Sequence, residues 1–290
     1  MTSARGRWAA GWPAVVAVAL VVALAAPASS ARPAAGVRVH REVGYAAAAT
    51  LDVYAPVGGH GLPVLVLLHG CCGSRADLAQ LALATARAGA VVFNAGWRSL
   101  ADGGRFPAVY QQAACAVRVA RADAARYGGD GRRVTLVGWS DGAMLAAVVA
   151  NAGDDFGGDC RAPGVSALPD ALVGVGGFYG WPADRGAVPA RYVTPGTVRF
   201  FGGTPARAPA AWSAGNPYHH LGRNRRVAVT LLVAAGDPLA DDNRQFLAAL
   251  AATGHQAKLT VVPGTDPLTL ISPRTDQGRT TIAEVLRTAG

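Results

Sequence analysis

The stretch Val134-Thr135-Leu136-Val137-Gly138-Trp139-Ser140-Asp141-Gly142-Ala143 decides how the rest of the chain is read. Val134 to Val137 is a short, mostly apolar run that reads as a strand buried in a parallel sheet. Ala143 to Asn151 follows with helical character. Between them lies a G-x-S-x-G, Gly138 to Gly142, with Ser140 at the turn. Such a motif alone means little in a chain with 37 glycines, but here it sits between a strand and a helix. That context suits a nucleophilic serine held in a strained conformation beside a helix N-terminus.

Outward from this turn, the pattern repeats. Pro63 to Leu68 and Ala90 to Asn94 are further buried runs, and Ala171 to Val175, Val227 to Ala234 and Lys258 to Val262 continue the series. Helical segments are expected over 75–88, Pro107 to Tyr127, Asp242 to Ala252 and Thr280 to Thr288. Val37 to Tyr45 and Thr50 to Tyr54 alternate in polarity and read as an antiparallel start. Alternating strands and helices define an α/β domain, a mostly parallel sheet of about eight strands with helices on both faces. The exception is 177–226, rich in Gly and Pro, which carries eight of the chain's twenty aromatics. Its composition suits either a lid or pocket wall, or the ordinary packing of a long connection.

The first 31 residues read as a secretory signal peptide: Arg5 and Arg7, an apolar core from Ala14 to Ala26, and the small-residue site Ser29-Ser30-Ala31. An N-terminal membrane anchor is the alternative. The uninterrupted apolar run is shorter than the ~20 residues of a span, so no stable anchor is expected. Residues 32–290 then form one domain that is secreted or held in the cell envelope. The formal charge of +9 comes from dispersed arginines, with one lysine, Lys258. Without a basic stripe interleaved with aromatics, nucleic acid is not an expected partner. An exported chain with four cysteines, Cys71, Cys72, Cys115 and Cys160, is expected to form up to two disulfides. Of the three pairings, the one joining Cys71 to Cys72 is disfavoured by disulfide geometry.

The buried run ending at Leu68 leads into His69-Gly70-Cys71-Cys72-Gly73. Acyl transfer from a serine needs backbone N–H donors aimed at the tetrahedral oxyanion. Asp141, after the serine, supplies one, and Cys71 or Cys72 the other. His69 reads as a packed, hydrogen-bonded residue rather than a catalytic base.

Together LLHGCCGS (67–74), the segment 106–143 and the segment 231–271 resemble the α/β-hydrolase superfamily, over roughly residues 37 to 288. The branch most similar is that of exported esterases, BD-FAE-like and dienelactone-hydrolase-like. The resemblance implies the α/β-hydrolase fold, carboxylesterase activity on a small-molecule or polymer ester, and no metal or cofactor. It places the triad acid at Asp237 in Gly236-Asp237-Pro238-Leu239, with Asp241 and Asp242 as nearby substitutes whose other reading is helix capping. It places the triad histidine at 267, within Pro263-Gly264-Thr265-Asp266-Pro267, and there the chain has proline. Proline accepts no proton, and a serine hydroxyl without a base is a poor nucleophile at neutral pH.

The six histidines are His40, His60, His69, His219, His220 and His255. His219 and His220, in the irregular segment, are the candidates for recruitment as base. Asp141 and Asp266 are weaker candidates, because an exposed carboxylate is too weakly basic. Two readings follow: a serine hydrolase with Ser140 and Asp237, or a degenerate descendant that binds a ligand or partner without turning it over.

Overall fold

The computed structural model describes residues 36–182 and 188–290. The segment read as a signal peptide, 1–31, lies outside the described residues. Eight strands, β1 (Val37–Ala46), β2 (Ala49–Pro56), β3 (Leu62–Leu68), β4 (Val91–Ala95), β5 (Gly129–Trp139), β6 (Ala171–Val175), β7 (Ala228–Ala234) and β8 (Ala257–Val262), form one sheet. Their order is β1-β2-β4-β3-β5-β6-β7-β8. β2 runs antiparallel to both β1 and β4, and every later pairing is parallel. The α/β fold expected from the sequence is therefore the one observed.

The helices are α1 (Ala79–Arg87), α2 (Ala108–Asp123), α3 (Asp141–Ala152), α4 (Pro195–Phe201), α5 (Pro209–Ala214), α6 (Ala240–Ala252) and α7 (Asp276–Ala289). Side chains alternate across a strand, so β3 feeds two cores at once. Val64, Val66 and Leu68 pack with α2, α3 and α6 residues such as Val117, Leu145 and Phe246, while Leu65 and Leu67 pack with α1 and α7 residues such as Leu81 and Val285. All five of these β3 side chains are essentially without solvent contact. Burial on both faces is why this strand carries no alternation in its sequence.

Several boundaries differ from the sequence reading for local reasons. The helix expected over 75–88 is broken into a 3₁₀ turn, Arg75–Leu78, and then α1. Ser74 caps the turn: its hydroxyl accepts from the Ala76 N–H, and its own N–H donates to Asp77 Oδ2 at 2.9 Å. The long helix from Pro107 ends at Asp123, and a 3₁₀ turn, Ala124–Tyr127, carries it to Gly128 at φ 84°. A Cβ on Gly128 would fall 2.2 Å from the Gly59 carbonyl oxygen, so only glycine fits. β5 starts at Gly129 rather than at Val134, because Gly129 already pairs with Leu62.

The segment 177–226 is less irregular than its composition suggests. Thr194 caps α4 by accepting from the Thr197 N–H, with Pro195 in the first turn, and α5 also begins on a proline. The aromatic rings of the segment stack into the core: Tyr179 lies on Phe246 at 4.1 Å, and Phe201 on Trp212 at 4.4 Å between ring centres. Cys115 of α2 and Cys160 are joined by a disulfide, one of the pairings left open by the sequence, while Cys71 and Cys72 are free thiols.

Candidate active site

In an open parallel sheet, ligands bind beyond the carboxyl ends of the strands. The residues singled out in the sequence follow the carboxyl ends of β3, β5, β7 and β8. Ser140 stands between β5 and α3 with φ 54° and ψ −122°. This is a sparsely populated conformation for a side chain other than glycine, and holding it costs on the order of 1–3 kcal/mol. The surroundings over-determine it. Ser140 N–H donates to Val175 O at 3.0 Å, and Ser140 O accepts from Ala143 N. A Cβ on Gly138 would sit 2.3 Å from Gly142 O, and one on Gly142 would sit 2.4 Å from both Leu68 O and His69 O. Both motif glycines are thus required by backbone contact.

The loop after β3 comes in from the other side. A Cβ on Gly70 would lie 3.1 Å from the Ser140 Cβ. Among the described residues, no backbone hydrogen bond takes up the N–H of Cys71 or Cys72. Asp141 opens α3, where first-turn N–H groups have no intrahelical acceptor. His69 is buried and stacked on Trp97 at 4.8 Å. Its Nδ1 faces Gly70 O at 2.8 Å, and its Nε2 faces the Trp97 N–H at 3.4 Å. With Nδ1 donating and Nε2 accepting, both nitrogens of a neutral ring are used, and burial lowers the imidazole below its ordinary value.

The acid side is built around Gly176, which follows Val175. A Cβ there would be 3.4 Å from Asp237 Oδ2 and 3.7 Å from Pro267 Cβ, so both residues flank the strand end that holds Ser140. Asp237 is 5% exposed. Its Oδ1 accepts from the Leu239 N–H at 2.8 Å, while its Oδ2 is buried with no hydrogen-bond partner. A buried carboxylate oxygen without a partner is unfavourable. Pro267 opens a 3₁₀ turn, Pro267–Ile271, whose cap is Asp266, accepting from the Leu268 N–H at 2.9 Å.

The substitutes for Asp237 are placed differently. Asp241 is exposed and paired with Arg244 at 2.7 Å, and Asp242 is raised by burial. Neither precedes α6 as a cap; both lie in its first turn, with Leu239 at the cap position. Their charge there favours the positive end of the helix dipole.

All six histidines are among the described residues, and none is hydrogen-bonded to Ser140. The Ser140 hydroxyl lies 3.4 Å from Asp141 Oδ2. His220 is committed elsewhere, with Nε2 on Ala214 O at 2.8 Å and Nδ1 3.3 Å from Arg223. Burial lowers His219 and His220 alike. His255 Nε2 accepts from the Gly222 N–H at 3.1 Å, and His40 packs edge-on against Tyr127. Among the described residues no group of three His, Cys, Asp or Glu gathers to hold a metal.

Next to Ser140 opens a small, mostly apolar pocket with about 100 Å³ of space, part of it open to solvent. Cys71 and Asp141 form its edge on the serine side, and Phe178, Trp181, Tyr192 and Trp212 supply much of its wall. The aromatic segment is therefore both packed core and pocket wall. One supporting residue was not visible in the sequence. Asn243 of α6 is fully buried and donates to both Gly177 O and Leu239 O at 2.8 Å, tying the aromatic segment to the Asp237 turn. A lone asparagine inside a helical pattern gives no such signal.

Strand order, the strained serine after β5 and the carboxylate after β7 define an α/β-hydrolase architecture. The alpha/beta hydrolase fold family model matches residues 65–266, and the chain belongs to that family. No curated protein matches the sequence. Among solved structures, an inhibited esterase B from Lactobacillus rhamnosis shares 18% identity at a TM-score of 0.72, over 89% of this chain and 87% of that one. The thermophilic carboxylesterase EstE1, from a metagenomic library, shares 20% identity at a TM-score of 0.64, over 89% and 90%. A bifunctional GH43-CE protein of Bacteroides eggerthii shares 21% identity at 0.68; there the match covers 87% of this chain but only 35% of the other.

Proposed function

We propose that this protein is a serine hydrolase of the carboxylic-ester type in which Ser140 is the nucleophile, Asp237 holds the acid position and Pro267 fills the place of the base. The observation that carries the proposal is the Ser140 backbone at φ 54°, a strain maintained by two obligatory glycines. Such strain is found where a side chain must be presented to a reacting partner. Ser140 Oγ attacks the ester carbonyl, and the oxyanion is met by the N–H of Asp141 and that of Cys71 or Cys72. The hydroxyl proton leaves to water, since no imidazole touches it. The tetrahedral intermediate collapses, the alkoxide leaves and takes a proton from water, and a second water hydrolyses the acyl-serine to release the acid. Catalysis then rests on oxyanion stabilisation and binding, which can retain roughly 10³–10⁴-fold acceleration over water when a triad is broken. The pocket chemistry supports an ester with an apolar or aromatic acyl or alcohol group. The disulfide of Cys115 and Cys160 supports work in an oxidising compartment.

The test is turnover of p-nitrophenyl acetate by the native chain, Ser140→Ala and Pro267→His. Slow hydrolysis by the native chain, lost in Ser140→Ala, is expected. Equal rates for those two would remove Ser140 as a nucleophile. A second reading is favoured by the unpaired Asp237 Oδ2 and by Pro267: the chain binds the ester-like ligand and leaves it intact. Native and Ser140→Ala proteins would then bind an aryl ester equally and return it unchanged.

A further inference from the structure

Cys71 and Cys72 are both exposed, and their sulfurs lie 3.5 Å apart. In an extended chain, adjacent side chains point to opposite sides. Here Cys72 has a left-handed backbone, φ 59°, and both thiols come to one side of the turn. Cys71 is also at the edge of the aromatic pocket. Closing a bond between the two sulfurs requires an approach to ~2.05 Å. The ring so formed would be strained, because adjacent Cα atoms stand ~3.8 Å apart across a trans peptide, short of the usual ~4.4–6.8 Å span. Strained, exposed disulfides are the easily reduced ones. The other pair in the chain contrasts with this: Cys115 and Cys160 have Cα atoms 5.5 Å apart, inside the ordinary range.

We propose that Cys71 and Cys72 form a reversible dithiol site at the rim of the aromatic pocket, which reacts with small-molecule disulfides to give a vicinal disulfide. One thiolate, that of Cys72, attacks the incoming disulfide RSSR and releases RS⁻, which takes up a proton. The Cys71 thiol then gives up its proton and attacks the Cys72 sulfur of the mixed disulfide, releasing the second RSH. The protein loses two electrons and two protons, and RSSR becomes two RSH. Partial burial and the neighbouring Asp141 carboxylate push the Cys71 thiol up, which favours Cys72 as the first attacking sulfur. The site does not depend on Ser140 being reactive.

The experiment treats the full chain with oxidised glutathione, alkylates the remaining thiols with iodoacetamide and reads intact mass with peptide mapping. The native chain is expected to lose both alkylation sites at Cys71 and Cys72, carry no glutathionyl group, and recover both sites after dithiothreitol. Cys71→Ser is expected to stop at a stable single glutathionyl adduct on Cys72, and Cys72→Ser, left with the raised Cys71 thiol, to form that adduct far more slowly. A native chain that keeps two alkylatable thiols, or that accumulates the mixed disulfide as its end product, overturns the proposal. The mass readout is silent on ester hydrolysis, so failure here leaves the assignment of Ser140 untouched, and the reverse.

Discussion

The two halves of the candidate site differ in how tightly their surroundings specify them. Around Ser140, a Cβ on Gly138 or Gly142 would overlap backbone oxygens, one on Gly70 would crowd the Ser140 and Trp139 side chains, and the serine backbone is held from two sides. Around Asp237, a carboxylate oxygen is buried and unmatched, and Pro267 also flanks Gly176. The Ser140 geometry is a property of backbone packing, so it resists change. Asp237 Oδ2 lacks a partner that one side chain on a neighbouring loop could supply.

That contrast can be broken most directly at 267. On the proposed assignment, Pro267→His supplies Asp237 Oδ2 with a donor and Ser140 with a base. Loss of the triad histidine in a serine protease costs roughly 10⁶ in kcat, and partial recovery of at least ~10²-fold in p-nitrophenyl acetate turnover is expected. No gain would show that the acid side is misplaced as well as unpaired. On the other half, Gly138→Ala drives a Cβ into Gly142 O. Because the obstacle is backbone, the loss should reach or exceed ~3 kcal/mol, the upper end for overpacking, read by urea unfolding.

Acid sharpens the comparison on the β3 side. His69 has a folded value below the ordinary 6.5, because burial disfavours its charged form. Below pH 6.5 the unfolded chain binds a proton that the native chain refuses, so stability falls as pH drops toward the folded value and is unaffected above 6.5. His219, His220 and His255 are shifted the same way and add to the slope. His69→Gln is expected to flatten the dependence of the urea midpoint between pH 7 and pH 5. The smallest effect belongs to Asp237→Asn, which keeps the turn bond to Leu239 through Oδ1 and removes an unpaired charge. Its stability should stay within ~1 kcal/mol of the native chain, since no partner is lost. In the Pro267→His background the same change should cost more, and a double-mutant cycle measures the difference.

The sequence was most legible where packing is two-sided. Runs such as Pro63 to Leu68 and Val134 to Val137 have no alternative to a central strand, and the serine motif could be placed because it sat between such a strand and a helix. Pro267 was legible by absence, in an otherwise matching stretch. Three kinds of feature were not. The Cys115 and Cys160 pairing depends on where β1 brings the loop after α3, and the spacing of four cysteines does not say so. The short helices α4 and α5 are marked only by proline starts and, for α4, a threonine cap, signals drowned by surrounding Gly and Pro. Polar side chains that brace backbone from inside were invisible too. Besides Asn243, Arg118 of α2 is 5% exposed and donates to the carbonyls of Gly153, Phe156 and Val165, although an arginine in a helix usually reads as surface.

The disulfide has a consequence of connectivity as well as of stability. Its sulfurs join residues 45 apart, and the chain between them includes β5, Ser140 and α3. Ser140 is therefore carried on a closed covalent ring. A single protease cut anywhere between Cys115 and Cys160 opens that ring without dividing the molecule, and both pieces travel together until a reductant separates them.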